Sequence, residues 1–179
     1  MPSIVHLDTS RTGRGGQLQV FLLHRELRRL GVESRLLARA GGALHLRCEE
    51  VGLQVEPVRL MRPWYPPAIS AVWRWTRRAT IVHAHDSHAA ALAAIVRSAN
   101  PNLAAVCHRR VAFGPRAGLA GRWKYRHVDR WIAVSTEIAG RLRRAGVTNL
   151  RVVPSAVDVD DLREQASGRS VDGLRSELG

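Results

Sequence analysis

A short apolar strand that runs into a cluster of glycines and then into an amphipathic helix restricts a chain to few folds, and residues 3–30 have that form. Ser3-Ile4-Val5-His6-Leu7 is β-branched and apolar, with the length of a strand buried on both faces. Thr12-Gly13-Arg14-Gly15-Gly16 breaks it. From Gln17 onward Val20, Leu23, Leu27 and Leu30 recur at helical spacing, Phe21 and Leu22 widen the stripe, and Arg25, Glu26, Arg28 and Arg29 take the wet side. Gly31 supplies a C-terminal stop. Such a turn lets a ligand approach bare backbone at a helix N-terminus, where unpaired N–H groups bind phosphate. A tight connection that binds nothing has the same sequence. The dinucleotide fingerprint is not met, because its third glycine falls on Leu18 and Arg39, not an acid, follows the second strand. The turn suits a sugar-nucleotide diphosphate better.

The alternation continues. Strands are predicted over residues 34–38, 52–58, 80–84, 103–107, 130–134 and 150–153. Helices are predicted from Gly41-Gly42 to residue 50, over 68–78 after a loop punctuated by Pro57, Pro63, Pro66 and Pro67, over 88–98, over Leu119–Arg126, and after a cap at Ser135 or Thr136. The alanine-rich helix 88–98 is apolar nearly all round and is expected to be buried. This pattern predicts an α/β fold, a Rossmann-like doubly wound parallel sheet of about seven strands. Ligands in such sheets sit beyond the carboxyl ends of the strands, here residues 8–16, 83–88, 107–110 and 134–136.

With 179 residues, 45% of them hydrophobic, the chain can bury one good core. The formal charge of +13 invites acidic partners, yet Lys124 is the only lysine, and an arginine excess alongside abundant Ala and Gly reads as codon bias. Beyond charge there is no nucleic-acid signature, so no nucleic-acid partner is expected. Cys48 and Cys107 form neither a disulfide framework nor a zinc motif, and the reading is a reducing cytosol. No signal peptide or bilayer-spanning run is evident. Trp64, Tyr65, Trp73 and Trp75 interleave with Arg62, Arg74, Arg77 and Arg78. Such a mixture suits a membrane interface or a single-stranded nucleic acid, or else a helix that packs its tryptophans on the core and leaves its arginines wet.

Two constellations carry chemistry. In His83-Ala84-His85-Asp86-Ser87-His88, His83 and His85 share one strand face while Asp86 and His88 enter the turn. The H-x-H-x-D-H metal pattern fails because Asp86 stands one position early, with Ser87 in its place, and no metal ligand is assigned. A histidine here instead positions an acceptor hydroxyl or stabilises a transition state, unless the cluster is merely hydrogen-bonded at a strand end. In His108-Arg109-Arg110 two guanidiniums stand ready to clamp a phosphate or carboxylate, or form a solvated basic loop.

These pieces, in order, resemble the N-terminal domain of a retaining family 4 GT-B glycosyltransferase of the bacterial lipopolysaccharide and capsule type. The resemblance rests on the first strand with Gly15-Gly16-Gln17, on Leu27-Arg28-Arg29-Leu30-Gly31-Val32-Glu33, and on Ile81-Val82-His83-Ala84-His85. It continues through Arg109-Arg110-Val111, Trp123-Lys124-Tyr125-Arg126, Asp129-Arg130-Trp131-Ile132-Ala133-Val134-Ser135 and Val152-Val153-Pro154-Ser155-Ala156-Val157-Asp158. It implies that residues 1–158 form the acceptor-binding half of a GT-B fold, and that 159–179 are a linker and the start of a C-terminal donor domain whose E-x7-E element the sequence lacks. By the same resemblance Gly15 and Gly16 approach the donor diphosphate and His85 is catalytic. Gln17, Asp86, His88, Arg109 and Arg110 face the acceptor. No metal or cofactor is implied, the nucleotide-sugar being a substrate. The expected partners are that donor, an anionic glycan or lipid-linked acceptor, a C-terminal GT-B domain in cis or trans, and an anionic membrane surface. The expected place is the cytoplasm, peripheral at the inner face of the plasma membrane. The chain alone is expected to be inactive. A partner-dependent or non-catalytic binding module for anionic glycolipid or polysaccharide precursors is the alternative, and a metallohydrolase a more remote one. His85 is expected to face the same cleft as the glycine turn, with His83 the more buried of the two.

Overall fold

The computed structural model describes residues 2–59, 64–110, 118–159 and 163. Arg62, Val111 and the helices and linker expected beyond residue 159 lie outside the described residues, apart from Arg163. The elements follow as β1 (Ser3–Asp8), α1 (Gly15–Arg29), β2 (Glu33–Arg39), α2 (Ala43–Glu50), β3 (Glu56–Val58), α3 (Pro66–Thr76) and β4 (Ile81–Ala84). They continue as α4 (Ser87–Ala99), β5 (Ala104–Arg109), α5 (Leu119–Arg126), β6 (Arg130–Ala133), α6 (Thr136–Arg144) and β7 (Leu150–Val152). The strands form one parallel sheet in the order β3-β2-β1-β4-β5-β6-β7. The chain order reverses between β1 and β4, the switch point where such sheets open a crevice.

Alternation along each strand sorts the side chains onto two faces. Val5 and Leu7, Val82 and Ala84, Ala105 and Cys107, Trp131 and Ala133 face one layer, packed with α3, α4 and α6. Leu36 and Ala38 face the other, joined by Val20, Phe21 and Leu22 of α1 and by Leu44 and Cys48 of α2. On this second face β1, β4 and β5 carry the half-buried Ile4, Ile81 and Val106 and turn to histidine toward their carboxyl ends. The histidines are His6, His83 with His85 just beyond the strand, and His108. α4 is buried nearly all round, through Ala89, Ala90, Leu92, Ala93, Ala94 and Val96.

Of the boundaries that differ from expectation, three show what the local sequence does. α1 begins at Gly15, two residues early, so the glycines form its first turn. α3 begins at Pro66, with proline in its first turn, where a missing N–H costs nothing. β3 shrinks to three residues with Pro57 at its centre; Leu53 and Val55 pack on the second core layer without pairing. Of the tryptophans on α3, Trp75 packs partly on the core with Arg35 over its ring, whereas Trp73 is exposed. After β7 the chain runs back against α1. Gln19 pairs both ways with the Ala156 backbone, at 2.7 Å each, and Arg25 meets Asp158 at 2.7 Å.

Candidate functional site

The parallel register sets the carboxyl ends of β1, β4 and β5 level, with Leu7 opposite Ala84 and Ala84 opposite Cys107. Beside them stands the N-terminus of α1. Gln17 ties the turn down: its Oε1 accepts from Arg14 N (3.2 Å) and its Nε2 donates to Asp8 Oδ2 (2.9 Å). Asp8 Oδ1 accepts from Ser10 N at 2.9 Å. Burial first, and Asp86 second, push the Asp8 carboxyl up to about 6.

The four glycines around this turn have different reasons to be glycine. A Cβ on Gly42 would sit 2.9 Å from Ser10 O, and one on Gly13 would sit 3.1 Å from Ala43 Cβ. Packing against fixed backbone requires glycine at Gly42 and leaves little room for a side chain at Gly13. Gly15 meets nothing within 4 Å, Gly16 meets only Arg110 Cδ at an ordinary 3.7 Å, and neither has a positive φ. No structural demand explains glycine at these two positions. What glycine leaves there is open backbone, and among the described residues neither amide has a partner.

Arg110 sits over the histidines. Its Nη1 donates to His85 Nδ1 (3.2 Å) and its Nη2 to His108 Nδ1 (3.1 Å). A guanidinium can only donate, so both Nδ1 atoms are acceptors and each neutral ring carries its proton on Nε2. His85 Nε2 then donates to His6 Nδ1 at 3.0 Å, which places the His6 proton on a buried Nε2 with no partner. The result is a directed chain, Arg110 to His85 to His6. Burial holds His6 and His108 down to about 3, and His83 and His85 well below their ordinary value. Burial also lowers Arg110 to about 10, and among the described residues no carboxylate lies within ion-pair distance of it.

His6, His83 and His85 bring ligating nitrogens within 4.8 Å of one another, a plausible cation triad by residue type and number. Arg110 argues against that use. A metal on His85 Nε2 would force the ring proton onto Nδ1, the atom facing the guanidinium donors; satisfying both would require an imidazolate. The arrangement is a hydrogen-bonded chain.

His85 reaches the glycine turn only through Arg110. Contrary to expectation His83 is not the deeper of the pair: His85 is 5% exposed and His83 8%, because Arg110 closes over His85. Arg109 and Arg110 do not form one clamp, since consecutive strand residues leave on opposite faces. Arg110 lies against His85, while Arg109 acts electrostatically on Tyr125 from the other layer. His88 is exposed on the first turn of α4. Asp86 is the α4 N-cap: Oδ1 accepts from His88 N (2.8 Å), Ala89 N (3.0 Å) and Thr9 Oγ1 (2.8 Å), and Oδ2 accepts from Thr9 N. Asp86→Ala is therefore expected to destabilise the domain by about 2 kcal/mol, with Asp86→Asn costing less, both read from urea midpoints. The sequence reading passed over His6, and it set Asp8 and His108 at the ligand edge without giving either a role. The available signal was a single imidazole and a single carboxylate in an otherwise apolar first strand.

A parallel sheet in this order, with its ligand edge built from strand ends and the first turn of α1, is the Rossmann-like half of a GT-B architecture. The model of Glycosyltransferase Family 4 matches residues 13–161, and the chain belongs to that family. A glycosyltransferase from Rickettsia africae superposes with a TM-score of 0.77 at 13% identity, over 98% of this chain and 48% of that one. Anabaena HepE in complex with UDP and glucose gives 0.74 at 18%, over 93% and 50%. UDP-GlcNAc 2-epimerase from Neisseria meningitidis bound to UDP-GlcNAc gives 0.65 at 11%, over 98% and 52%. At these identities the likeness is one of fold, and the chain spans about half the length of those structures. No curated protein sequence matches it. Among the described residues no helix is long and apolar enough to cross a membrane.

Proposed function

We propose that this chain is the acceptor-side, N-terminal domain of a retaining glycosyltransferase. It moves a sugar from a nucleotide-sugar to a hydroxyl of an anionic glycan or lipid-linked acceptor of the lipopolysaccharide or capsule type. The observation that carries this reading is the pair Gly15 and Gly16, glycines that neither packing nor backbone conformation requires, opening the helix beside Arg110 and His85. Their amides receive the donor diphosphate, and His85 positions the acceptor hydroxyl or stabilises the reacting sugar. The nucleotide-sugar is a substrate and no cofactor is needed. Residues 1–158 form this domain, and 159–179 lead toward a donor domain supplied in cis or in trans. Gln17 acts by fixing the turn. The exposed Trp64, Tyr65 and Trp73 beside Arg74, Arg77 and Arg78 on and around α3 suit the anionic inner face of a membrane, which would place a lipid-linked acceptor at hand.

The test is a transfer assay with residues 1–179, alone and with a donor domain supplied. The chain alone is expected to bind nucleotide-sugar weakly and transfer none. Efficient turnover by these residues alone would contradict the reading. Transfer absent even with the donor domain would favour the binding-module alternative.

Replacing Arg109 and Arg110 together by Ala is expected to weaken acceptor binding at low salt and to flatten its salt dependence. Single variants should assign most of that loss to Arg110. Unchanged affinity at low ionic strength would mark both as ordinary loop charge.

A further inference from the structure

We propose that Arg110 is a movable cover over His85, drawn aside by a phosphate group of a substrate. The proposal deepens the reading above and rests on its placement of a phosphate at the glycine turn. The guanidinium is an unusual tenant of its position. Its two Nη atoms are held by neutral imidazole nitrogens, at 3.2 Å on His85 and 3.1 Å on His108. Its Nε is buried without a partner, and no carboxylate of the described residues pairs with it. Asp8 attracts it only from beyond ion-pair distance, and a buried charge whose hydrogen bonds all go to neutral acceptors is poorly compensated. A phosphate offers the same fork charge-assisted, bidentate bonds, about twice as strong as neutral ones.

The route is short. Arg110 Cδ already lies 3.7 Å from where a Gly16 side chain would begin, so the stem lies against the glycine pair at the start of α1. Rotation about the last torsions of the side chain swings the guanidinium from the histidines toward that end of α1. Its departure leaves His85 Nδ1 and His108 Nδ1 unoccupied and facing the turn. His85 then meets a substrate hydroxyl as a hydrogen-bond acceptor, and only after the anion has arrived. Arg110 in this scheme is a positioning residue that makes phosphate binding a precondition for engaging His85.

The experiment is histidine modification by diethyl pyrocarbonate on residues 1–179, mapped by peptide mass. The probes are inorganic pyrophosphate, UDP and glycerol 3-phosphate, with binding of each followed by calorimetry. Without a probe, His85 and His108 should react slowly while the exposed His88 reacts freely and serves as internal reference. A bound probe should speed His85 on the order of tenfold, the value of one hydrogen bond to a charged group. Arg110→Met keeps an unbranched stem but donates nothing; there His85 should react fast without any probe and respond to none. His6 and His83 staying slow in that variant reports an intact sheet. Response to pyrophosphate and UDP alone identifies the donor diphosphate as the trigger, and response to glycerol 3-phosphate identifies an acceptor phosphate. Either supports the proposal. Wild-type His85 that stays slow with all three probes overturns it, as does an Arg110→Met protein whose His85 is as slow as wild type. Because these readouts need no turnover, a cover that behaves as stated in a protein that transfers no sugar even with a donor domain supplied would sink only the glycosyltransferase reading.

Discussion

His85→Ala, made in a protein that carries both GT-B domains, should lower turnover on the order of a hundredfold, the range of a general acid–base or positioning group. It should also lower the melting temperature, because the deletion leaves Arg110 Nη1 and His6 Nδ1 without their partner. His83→Ala supplies the comparison. His83 Nε2 has no hydrogen bond to lose, so that variant should lose stability through a cavity and keep its turnover. The two effects separate when kcat is measured well below both melting temperatures. Normal turnover by a folded His85→Ala enzyme would take His85 out of the site and leave Asp8 as the next candidate.

A second large effect concerns acid. His6, His24, His83, His85 and His108 are all held below their ordinary value, in each case first by burial. The unfolded chain takes up protons near pH 6.5, whereas the folded one does not until far lower, so the unfolded state binds more protons and stability is lost as pH is lowered. The contribution is complete above pH 6.5 and declines until each native value is reached, about 3 for His6 and His108. At about 1.4 kcal/mol per group and pH unit, these two alone remove about 5 kcal/mol between pH 6.5 and 4.5. That is comparable to the whole stability of many domains. Asp8 opposes this with a single proton. Its native value of about 6 lies above the ordinary 3.8, so it adds stability as pH falls through that window. Urea midpoints should be level above pH 7 and drop steeply below 6.5. A flat profile down to pH 4.5 would contradict neutral, buried imidazoles and with them the directed chain from Arg110.

Most of the sheet was legible because each strand is a short apolar run between turn signals. The doubly wound order then places β4 beside β1, which brings His83 opposite His6. What the sequence concealed depended on single residues. Whether Arg109 and Arg110 act together turns on where β5 ends, since alternation assigns neighbours to opposite layers. Gly13, Gly15, Gly16 and Gly42 look alike in sequence; only contact distances separate the two that packing crowds from the two that leave backbone open. Asp86 drew notice as a carboxylate beside histidines, and its hydrogen bonds show a helix cap. β3 formed around Pro57, which an edge strand tolerates, and residues 52–55 were apolar enough to read as strand yet pack on the core without pairing.

The hold that α1 keeps on the departing chain sets a distance. Gln19 stands four residues beyond Gly15, about 6 Å of helical rise, and Arg25 lies about 15 Å from the same origin. The paired amide at Ala156 and the ion pair at Asp158 thus fasten the exit path to marks on a rod whose tip is the glycine turn. Anything joined beyond residue 159 begins its course from that rod, not from the far edge where β7 lies. A shift of the helix tip on meeting a ligand would carry the exit with it. A chimera spliced after Asp158 that keeps Gln19 and Arg25 should inherit this alignment, and one that loses both should begin from an unanchored end.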